Sequence, residues 1–321
     1  MMKTKSKFKK ETVGLFIITI GIVLAIYSLL MLSLMFWGFN TSLKHRMDFD
    51  NPGYNVLGLP DFSLWTRKGL SIFNNYQTVI ENMEIKVSGQ SYYTIFSDEP
   101  VRHFAHVTFW SLIWNTISYC ILASIIQTIV PTVVGFMCAK YRYKYSEIVY
   151  TTVLVVMMLP IVGTAPAELK LLKDLALYDT LIGNLIQKFH FSDMYFLIFF
   201  AFFQGIPDSY QEAAEIDGAS QFRVISTIMI PLAIKLMGTV FLLRAVGYWN
   251  DYNSVLMYLP TRPTFAYAIY DTVFLNHQAY EMKTTTVRIA GSMLLVTPIL
   301  IIFLIFKDRL MGNVSIGGIK G

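Results

Sequence analysis

The strongest constraint on the fold of this chain is a series of long apolar runs that carry no charged side chain. The first covers residues 12–43 and follows a lysine-rich start, and the second lies within residues 107–139. An α-helix needs about 20 apolar residues to cross the roughly 30 Å hydrocarbon core of a bilayer. These runs therefore predict membrane-spanning helices, because backbone amides in lipid must be satisfied within their own segment.

Further apolar runs complete a set of six predicted spans. They cover residues 148–167, residues 191–207, a segment that begins near Pro231, and residues 285–306. The composition agrees, since 55% of the residues are hydrophobic and only 15% are charged, whereas soluble proteins contain about 25% charged residues. We therefore predict an all-α integral membrane protein with six transmembrane helices.

The distribution of Lys and Arg predicts the orientation of these spans. Short segments dense in Lys and Arg precede span one, follow span two and follow span six, and such segments favour the cytoplasmic side. Both termini are then cytoplasmic. Residues 1–11 form the N-terminus, residues 12–306 the transmembrane domain with an external loop at about 44–106, and residues 307–321 a cytoplasmic tail. Residues 168–190 have the apolar spacing of an amphipathic helix at the outer surface.

The chain shows none of the residue patterns that mark an enzyme. It contains no Gly-x-x-x-x-Gly-Lys-Ser/Thr loop for phosphates, so we do not expect it to hydrolyse ATP itself. His103 and His106 have no third metal ligand nearby, and Cys120 and Cys138 lie in apolar runs typical of reduced thiols. We expect no metal or cofactor in this chain, and we assign its net charge of +5 to membrane orientation rather than to nucleic acid.

A distinctive segment lies between predicted spans four and five, at about residues 208–224. Ser209 followed by Glu212 three residues later predicts a capping box at the start of a short helix. Gly218 suits the left-handed residue that ends a helix, and a second helix is expected to begin near Ser220 and enter the membrane through Pro231. A short cytoplasmic helix beside a bilayer is suited to docking another protein.

This segment resembles the coupling loop of ATP-binding-cassette importer permeases. The family pattern is Glu-Ala-Ala, three residues, Gly, nine residues, Ile, one residue, and Leu-Pro. The matching positions are Glu212, Ala213, Ala214, Gly218, Ile228 and Pro231, with Ile230 in place of Leu and Asp217 also in agreement. In the family, this loop sits in a groove on the ATP-hydrolysing subunit. The resemblance therefore implies that residues 212–218 couple ATP hydrolysis to transport.

Other segments resemble the sugar-importing, maltose-type branch of that family. They are residues 39–44, 74–76, 114–116, 159–160 and 249–251, and the tail residues 317–321. The resemblance implies a multi-pass permease of the bacterial cytoplasmic membrane. Its partners would be a second, similar permease, two ATP-hydrolysing subunits that bind ATP and Mg, and an extracytoplasmic solute-binding protein. Gly317, Gly318 and Lys320 would reach between the ATPase subunits; the alternative is a frayed terminus.

Polar and aromatic residues near the end of span five are candidates for the sugar path. The set is Arg244, Tyr248, Trp249, Asn250 and Asp251, together with Asn115 in span two. If the helix continues, Arg244, Tyr248 and Asp251 share one face, where an ion-pair partner is possible. The alternatives are an interfacial aromatic belt with a snorkelling arginine and, for Asn115, a hydrogen bond between helices.

A second class of function also remains open from the sequence. A self-contained secondary transporter or channel for a small polar solute would usually show internal repeats, broken helices at the bilayer midplane and buried acidic residues. The first three apolar runs contain no acidic residue, and no internal repeat is visible. The coupling-loop pattern favours the importer permease.

Overall fold

The computed structural model describes residues 2–50, 56–67, 71–88, 104–141, 144–159, 163–275 and 280–314, and these are mostly helical. The chain forms two compact units. The first unit contains Met1–Asn82 and Ala279–Leu294, and the second contains Met83–Gln278 and Leu295–Gly321.

The first unit begins with a helix that corresponds to predicted span one. Helix α1 (Met2–Ser42) includes the apolar stretch Phe16–Ser42, which is long and apolar enough to cross a membrane. Its large side chains are exposed from Phe16 to Leu34, over about five turns. Exposure of this kind suits a helix that is surrounded by lipid.

The rest of the first unit consists of short elements and the start of the last helix. They are α2 (Arg46–Asp50), α3 (Phe62–Arg67), α4 (Asn74–Asn82), a 3-10 helix (Tyr280–Lys283) and the first residues of α15 (Thr285–Val314). Helix α15 extends beyond the predicted end of span six at residue 306, and the tail residues 315–321 lie outside the described residues.

The segment after α1 closes over the C-terminal end of that helix. The Asn75 side-chain amide donates to the carbonyl oxygens of Ser42 and Lys44, at 2.7 and 2.8 Å. The Trp65 indole N–H donates to the Leu43 carbonyl oxygen at 2.9 Å. These bonds satisfy carbonyl groups that the end of a helix leaves without an intrahelical partner. The predicted external loop therefore contains structure that the sequence did not indicate.

The second unit begins with a small antiparallel sheet, which corrects the all-α prediction. Strand β1 (Glu84–Ser88) pairs with β2 (Phe104–Thr108), with Glu84 opposite Thr108. Ile85 and Val87 are buried while Lys86 between them is exposed, as the alternation of side chains in a strand requires. The strands have five residues each, and fifteen residues separate them. The short turn by which a sequence indicates a hairpin is therefore absent between them.

Helices form most of the second unit, and α5, α9 and α12 pack against each other. The helices are α5 (Phe109–Lys140), α6 (Lys144–Met158), α7 (Ala165–Asp174), α8 (Leu181–Gln187), α9 (Met194–Gln204), α10 (Ser209–Ile216), α11 (Gln221–Val224), α12 (Ile230–Trp249), α13 (Asn253–Tyr258) and α14 (Phe265–Tyr270). Two π-helices, Ile225–Met229 and Asp271–Leu275, follow α11 and α14. Buried aromatic side chains of α5 and α9, including Phe136, Phe199 and Phe203, form the centre of this packing.

Four helical stretches among the described residues are long and apolar enough to cross a membrane. They are Phe16–Ser42, Phe109–Lys140, Gln221–Trp249 and Thr285–Lys307. These stretches correspond to predicted spans one, two, five and six. The prediction of an integral membrane protein therefore agrees with the helices of the structure.

The helices at predicted spans three and four are shorter than expected. Helix α6 ends at Met158 instead of continuing to Ala167, and Gly163 beyond it has φ +86°, which breaks a helix. Helix α9 covers only Met194–Gln204 of the predicted 191–207. It begins after Asp193, whose carboxylate accepts hydrogen bonds from the amides of Tyr195 and Phe196.

The helix of span five begins at Gln221, close to the expected start near Ser220, and continues through Pro231. A π-helical turn, Ile225–Met229, joins α11 to α12, and the Ile230 N–H bonds to the Ile225 carbonyl oxygen. Proline lacks an N–H and its ring displaces the carbonyl four residues earlier, so Pro231 is accommodated by the wider turn. The helix ends at Trp249, so Asp251 lies beyond it and the condition for a helical face shared by Arg244, Tyr248 and Asp251 is not met.

The predicted amphipathic helix at residues 168–190 is two helices, α7 and α8. Ala176 and Asp179 between them have φ +54° and +59°, values that a continuous helix does not allow. Leu172 on α7 is buried, while Leu171 and Leu175 are exposed. The segment is therefore bent rather than a single rod.

Candidate functional site

The coupling segment, residues 208–224, begins with a helix that lacks the predicted capping box. Asp208 occupies the N-cap position of α10 and makes no side-chain capping bond, and Ser209 lies inside the first turn. The amides of Gln211 and Glu212 bond to the Asp208 carbonyl oxygen at 2.9 and 3.0 Å. The Asp208 carboxylate instead contacts the Lys140 ammonium at 2.7 Å. The capping box is absent because Asp208 already has helical φ and ψ, −67° and −20°, which places Ser209 within the helix and not at its cap.

The C-terminal end of α10 confirms the role expected of Gly218. Its φ is +79°, in the left-handed region that glycine adopts without strain. The Gly218 amide bonds to the Glu215 carbonyl oxygen at 3.0 Å, and the Ala219 amide bonds to that of Ala214 at 2.9 Å. This pair of bonds is the Schellman motif. Asp217 is the C-cap residue.

The next helix of the segment begins where the sequence indicated. Ser220 is the N-cap of α11, and its hydroxyl accepts a bond from the Arg223 amide at 3.4 Å. The segment therefore consists of two short helices with a sharp turn at Gly218 between them.

One side of the coupling segment is packed and the other is open. Ala214 is buried in a cluster that includes Phe136, Phe203 and Val224. The exposed side chains, which we call the coupling surface, are Tyr210, Glu212, Ala213, Ile216 and Phe222. Ile216 is 87% exposed and Phe222 is 79% exposed. Large apolar side chains on short helices outside the spans are typical of a surface that another protein covers.

A second group of polar side chains lies where α12 ends. We call it the polar cluster: Tyr119, Lys188, Asp193, Arg244, Tyr248 and Asp251. The Tyr119 hydroxyl donates to the Asp251 carboxylate at 2.7 Å, and the Tyr119 and Tyr248 rings meet edge to face with centroids 5.6 Å apart. The other Asp251 oxygen accepts a bond from the Ser254 amide at 2.9 Å. The cluster therefore joins α5 to the residues that follow α12.

Lys188 brings a positive charge to the two tyrosines of this cluster. Its ammonium lies 5.9 Å from the Tyr119 ring centroid and 5.3 Å from that of Tyr248. It is also 3.5 Å from the Ser254 hydroxyl. Burial lowers the pKa of the Lys188 ammonium, and the nearby Asp251 carboxylate opposes that shift.

Arg244 has an ion-pair partner, but from a different helix than the predicted stripe suggested. Its guanidinium bonds to Asp193, the N-cap of α9, and its Cζ lies 4.3 Å from the Tyr195 ring centroid. The two charged side chains are 20% and 22% exposed. Arg244 is thus held inside the protein by a carboxylate and an aromatic face, rather than reaching for the membrane surface.

Three of the predicted path residues make contacts outside the polar cluster. The Trp249 indole N–H donates to the Leu295 carbonyl oxygen at 2.9 Å. The Asn250 side-chain amide donates to the Val246 carbonyl oxygen at 2.9 Å, at the end of α12. The Asn115 amide donates to the Pro263 carbonyl oxygen at 3.0 Å, the kind of contact between segments that was the alternative for this residue.

A cavity of about 730 Å³ borders the polar cluster. Its walls include Glu168, Gln187, Lys188, Ser254 and Tyr258. The Glu168 carboxylate accepts bonds from the Tyr258 hydroxyl at 3.1 Å and the Gln187 amide at 3.3 Å. The volume falls within the range of small-molecule sites, roughly 300–1,000 Å³, and its polar groups suit a ligand rich in hydroxyls.

Some residues of these sites escaped the sequence analysis. Asp193 directly precedes an apolar run, which is an N-cap signal, and Tyr119 lies one helical turn after Asn115. The sequence therefore contained a signal for Asp193 and one for Tyr119. Lys188 and Lys140 had none, because their partners are distant in sequence. The predicted tail residues Gly317, Gly318 and Lys320 lie outside the described residues.

Comparison with known proteins adds to this geometry. The sequence signature of the family described as "Binding-protein-dependent transport system inner membrane component" matches residues 131–315. The arabinooligosaccharides transport system permease protein AraQ of Bacillus subtilis is 26% identical over 210 residues, 65% of this chain and 73% of that protein. The lactose transport system permease protein LacG of Rhizobium radiobacter is 24% identical over 286 residues, 87% of this chain and 99% of that protein.

A solved structure has a similar fold. It is a chain of a bacterial ABC transporter involved in the import of the acidic polysaccharide alginate. The similarity covers 92% of this chain and 96% of that chain, with a TM-score of 0.66 and 21% sequence identity. At this identity, the comparison concerns the fold.

Proposed function

Because the chain belongs to the family of binding-protein-dependent transport system inner membrane components, we propose that it is the permease subunit of an ATP-binding-cassette importer for a sugar or oligosaccharide. The family match carries this proposal, since it includes the coupling segment and much of the polar cluster. The names of the relatives supply the substrate class, because they include permeases for arabinooligosaccharides and lactose.

The proposed complex contains partners for each surface of the chain. A second, similar permease completes the membrane domain, and a solute-binding protein delivers the sugar outside. Two ATP-hydrolysing subunits lie on the cytoplasmic side, and one of them binds the coupling surface of this chain. ATP and Mg are bound by the partner ATPases, so this chain is a transport subunit and not an enzyme. Gly317, Gly318 and Lys320 of the tail reach between the ATPase subunits.

The proposed topology keeps six spans with both termini in the cytoplasm. Helices α6 and α9 provide spans three and four. At 1.5 Å per residue, α6 is about 22 Å long and α9 about 16 Å, so the chain beside them completes the crossing under cover of neighbouring helices. Residues 1–11, 208–224 and 307–321 are then cytoplasmic, and residues 44–106 are external.

Transport follows from alternating access. Closure of the ATPase subunits pushes α10, with Glu212, Ala213, Ala214, Asp217 and Gly218 as the coupling residues, and rocks the helices around a central path. The residues near the outer end of α12 contribute to that path, namely Arg244, Tyr248, Trp249, Asn250 and Asp251, together with Asn115 on α5. Tyrosine rings suit the C–H faces of a sugar, and the carboxylates and Lys188 suit its hydroxyl groups.

Affinity purification from native membranes in mild detergent tests the proposal. We expect a second permease and an ATP-hydrolysing subunit to co-purify with the tagged chain, and uptake of a labelled oligosaccharide to require ATP. Glu212→Ala should abolish uptake, because it removes a charge from the coupling surface. Glu147→Ala, which removes an exposed acidic side chain from α6, is the matched control and should retain uptake.

Two results would contradict this function. One is a chain that purifies alone and moves a small polar solute into liposomes without ATP, which would establish a self-contained transporter or channel. The other is normal uptake by the Glu212→Ala variant at normal abundance in the membrane.

A further inference from the structure

The last residue of α5, Lys140, bonds to the residues directly before α10. The Lys140 ammonium donates to the Asp208 carboxylate at 2.7 Å and to the Ile206 carbonyl oxygen. Its side chain is only 2% exposed, whereas that of Asp208 is 57% exposed. Lys140 is thus a buried, charge-assisted donor that fixes the two residues flanking Pro207, directly before α10.

The next residue, Tyr141, is linked through a second side chain to the C-terminal part of α10. The Tyr141 hydroxyl donates to the side-chain oxygen of Gln221, the first residue of α11. The Gln221 amide in turn donates to the Glu215 carboxylate at 2.9 Å, which also accepts a bond from Gln211 at 2.9 Å. These amides of Gln211 and Gln221 hold the pKa of Glu215 below its usual range, so the carboxylate stays charged and the chain of bonds intact.

These polar contacts matter because α10 has little apolar attachment of its own. Among the residues of α10, all of which the structure describes, Ala214 is the buried one. A single alanine gives an eight-residue helix a small apolar contact about which it can tilt. Two contacts oppose such a tilt. Lys140, the last residue of α5, bonds to the residues directly before α10, and Tyr141, the next residue, reaches Glu215 of α10 through Gln221.

Helix α5 extends from these contacts to the polar cluster. Lys140 and Tyr119 lie on the same helix, about 32 Å apart at 1.5 Å per residue. Tyr119 bonds to Asp251, and α5 packs along α9 and α12. A displacement of the end of α5 therefore moves Tyr119 and its contacts in the polar cluster.

We infer that Lys140 and Tyr141 are positioning residues that pass the movement of α10 to α5 and so to the sugar path. This inference rests on the proposed function, because it assumes that partner ATPases move α10. When α10 shifts, the two contacts carry the end of α5 with it. Without them, α10 tilts about Ala214 and ATP is hydrolysed without a matching movement of the path.

The test measures the amount of sugar moved per ATP by the purified whole complex in liposomes. Lys140→Met keeps the length and apolar stem of the side chain, and Tyr141→Phe keeps the ring packed on Phe136, with which Tyr141 is in edge-to-face contact. We expect Lys140→Met to lower the ratio about tenfold, the change in an equilibrium constant that the loss of one charge-assisted hydrogen bond produces. The double variant should lower it further, and Lys140→Arg, which keeps the donors, should restore it.

The chain offers a matched control pair four residues further along the sequence. Lys144 and Tyr145 repeat the same two residue types at the exposed start of α6, so Lys144→Met and Tyr145→Phe should leave the ratio unchanged. An unchanged ratio in the Lys140→Met/Tyr141→Phe variant would overturn the inference. So would a parallel fall of hydrolysis and uptake, which would assign the two residues to assembly. Failure of the wild-type complex to hydrolyse ATP would instead remove the proposed function.

Discussion

Gly218 shows how a single backbone conformation shapes the coupling segment. A Cβ atom added at this position would meet no atom within 4 Å, so space does not require glycine there. The backbone angle φ of +79° does require glycine, because an L-residue with a side chain is strained in the left-handed region by roughly 1–2 kcal/mol. The turn between α10 and α11 therefore depends on this glycine.

We predict that Gly218→Ala weakens the C-terminal end of α10 by about 1–2 kcal/mol, and that Gly218→Asn weakens it less, since Asn tolerates this conformation better. Amide hydrogen exchange of α10 measures the effect, together with uptake. Gly205→Ala is the control, because Gly205 ends α9 with φ −76° and its added Cβ would lie 3.5 Å from the nearest atom. Equal exchange in the three variants would show that the strain is relieved elsewhere.

The sequence predicted individual residues where their role is local. Gly218 and Ser220 are fixed by their nearest neighbours in the chain, and their roles were confirmed. The capping box at Ser209 and Glu212 was wrong, because the helical backbone of Asp208 places Ser209 inside the first turn. The partners of Asp208 and Arg244 were missed because they are distant in sequence: Lys140 lies 68 residues from Asp208, and Asp193 lies 51 residues from Arg244. Residue spacing alone does not reveal contacts of this kind.

The end of α1 depends on a cap supplied by another helix. Asn75, on α4, is 3% exposed and bonds to two carbonyl oxygens at the end of α1. Removing its amide deletes both of these hydrogen bonds, each of which contributes about 0.5–1.5 kcal/mol. We predict that Asn75→Ala lowers the midpoint of thermal unfolding in detergent and speeds proteolysis of the segment at residues 44–82. Gln77→Ala, an exposed change on the same helix, should behave as wild type; an equal response of both variants would contradict the capping role.

Apolar run length predicted the long helices well and the short elements poorly. A run of at least 20 residues can satisfy its own backbone and bury or expose its side chains in lipid, so α1, α5 and α15 follow from sequence alone. The start of α9 depends on the single N-cap residue Asp193, and α6 ends at Met158, shortly before Pro160 in the sequence. The strand pair joins residues 84–88 to residues 104–108, and such non-local pairing is invisible to periodicity.

The resemblance drawn from residues 212–231 is confirmed by the family match over residues 131–315. That resemblance identified the function class where the physical pattern alone left two transport classes open. The structure then added the partners of the predicted residues. The two surfaces to which we assign function lie near opposite ends of the helical stretch Gln221–Trp249: the coupling surface near its start and the polar cluster near its end.

The six-span topology makes the last prediction, which single cysteines can test in a background where Cys120 and Cys138 are replaced by Ser. Leu57, Tyr145 and Leu175 are exposed and fall in the segments after spans one, two and three. A membrane-impermeant maleimide should label Leu57→Cys and Leu175→Cys in right-side-out vesicles and Tyr145→Cys only in inside-out vesicles. Leu175→Cys is decisive, because α6 is only about 22 Å long. If it is labelled from the same side as Tyr145→Cys, α6 does not cross the membrane and the six-span topology is wrong.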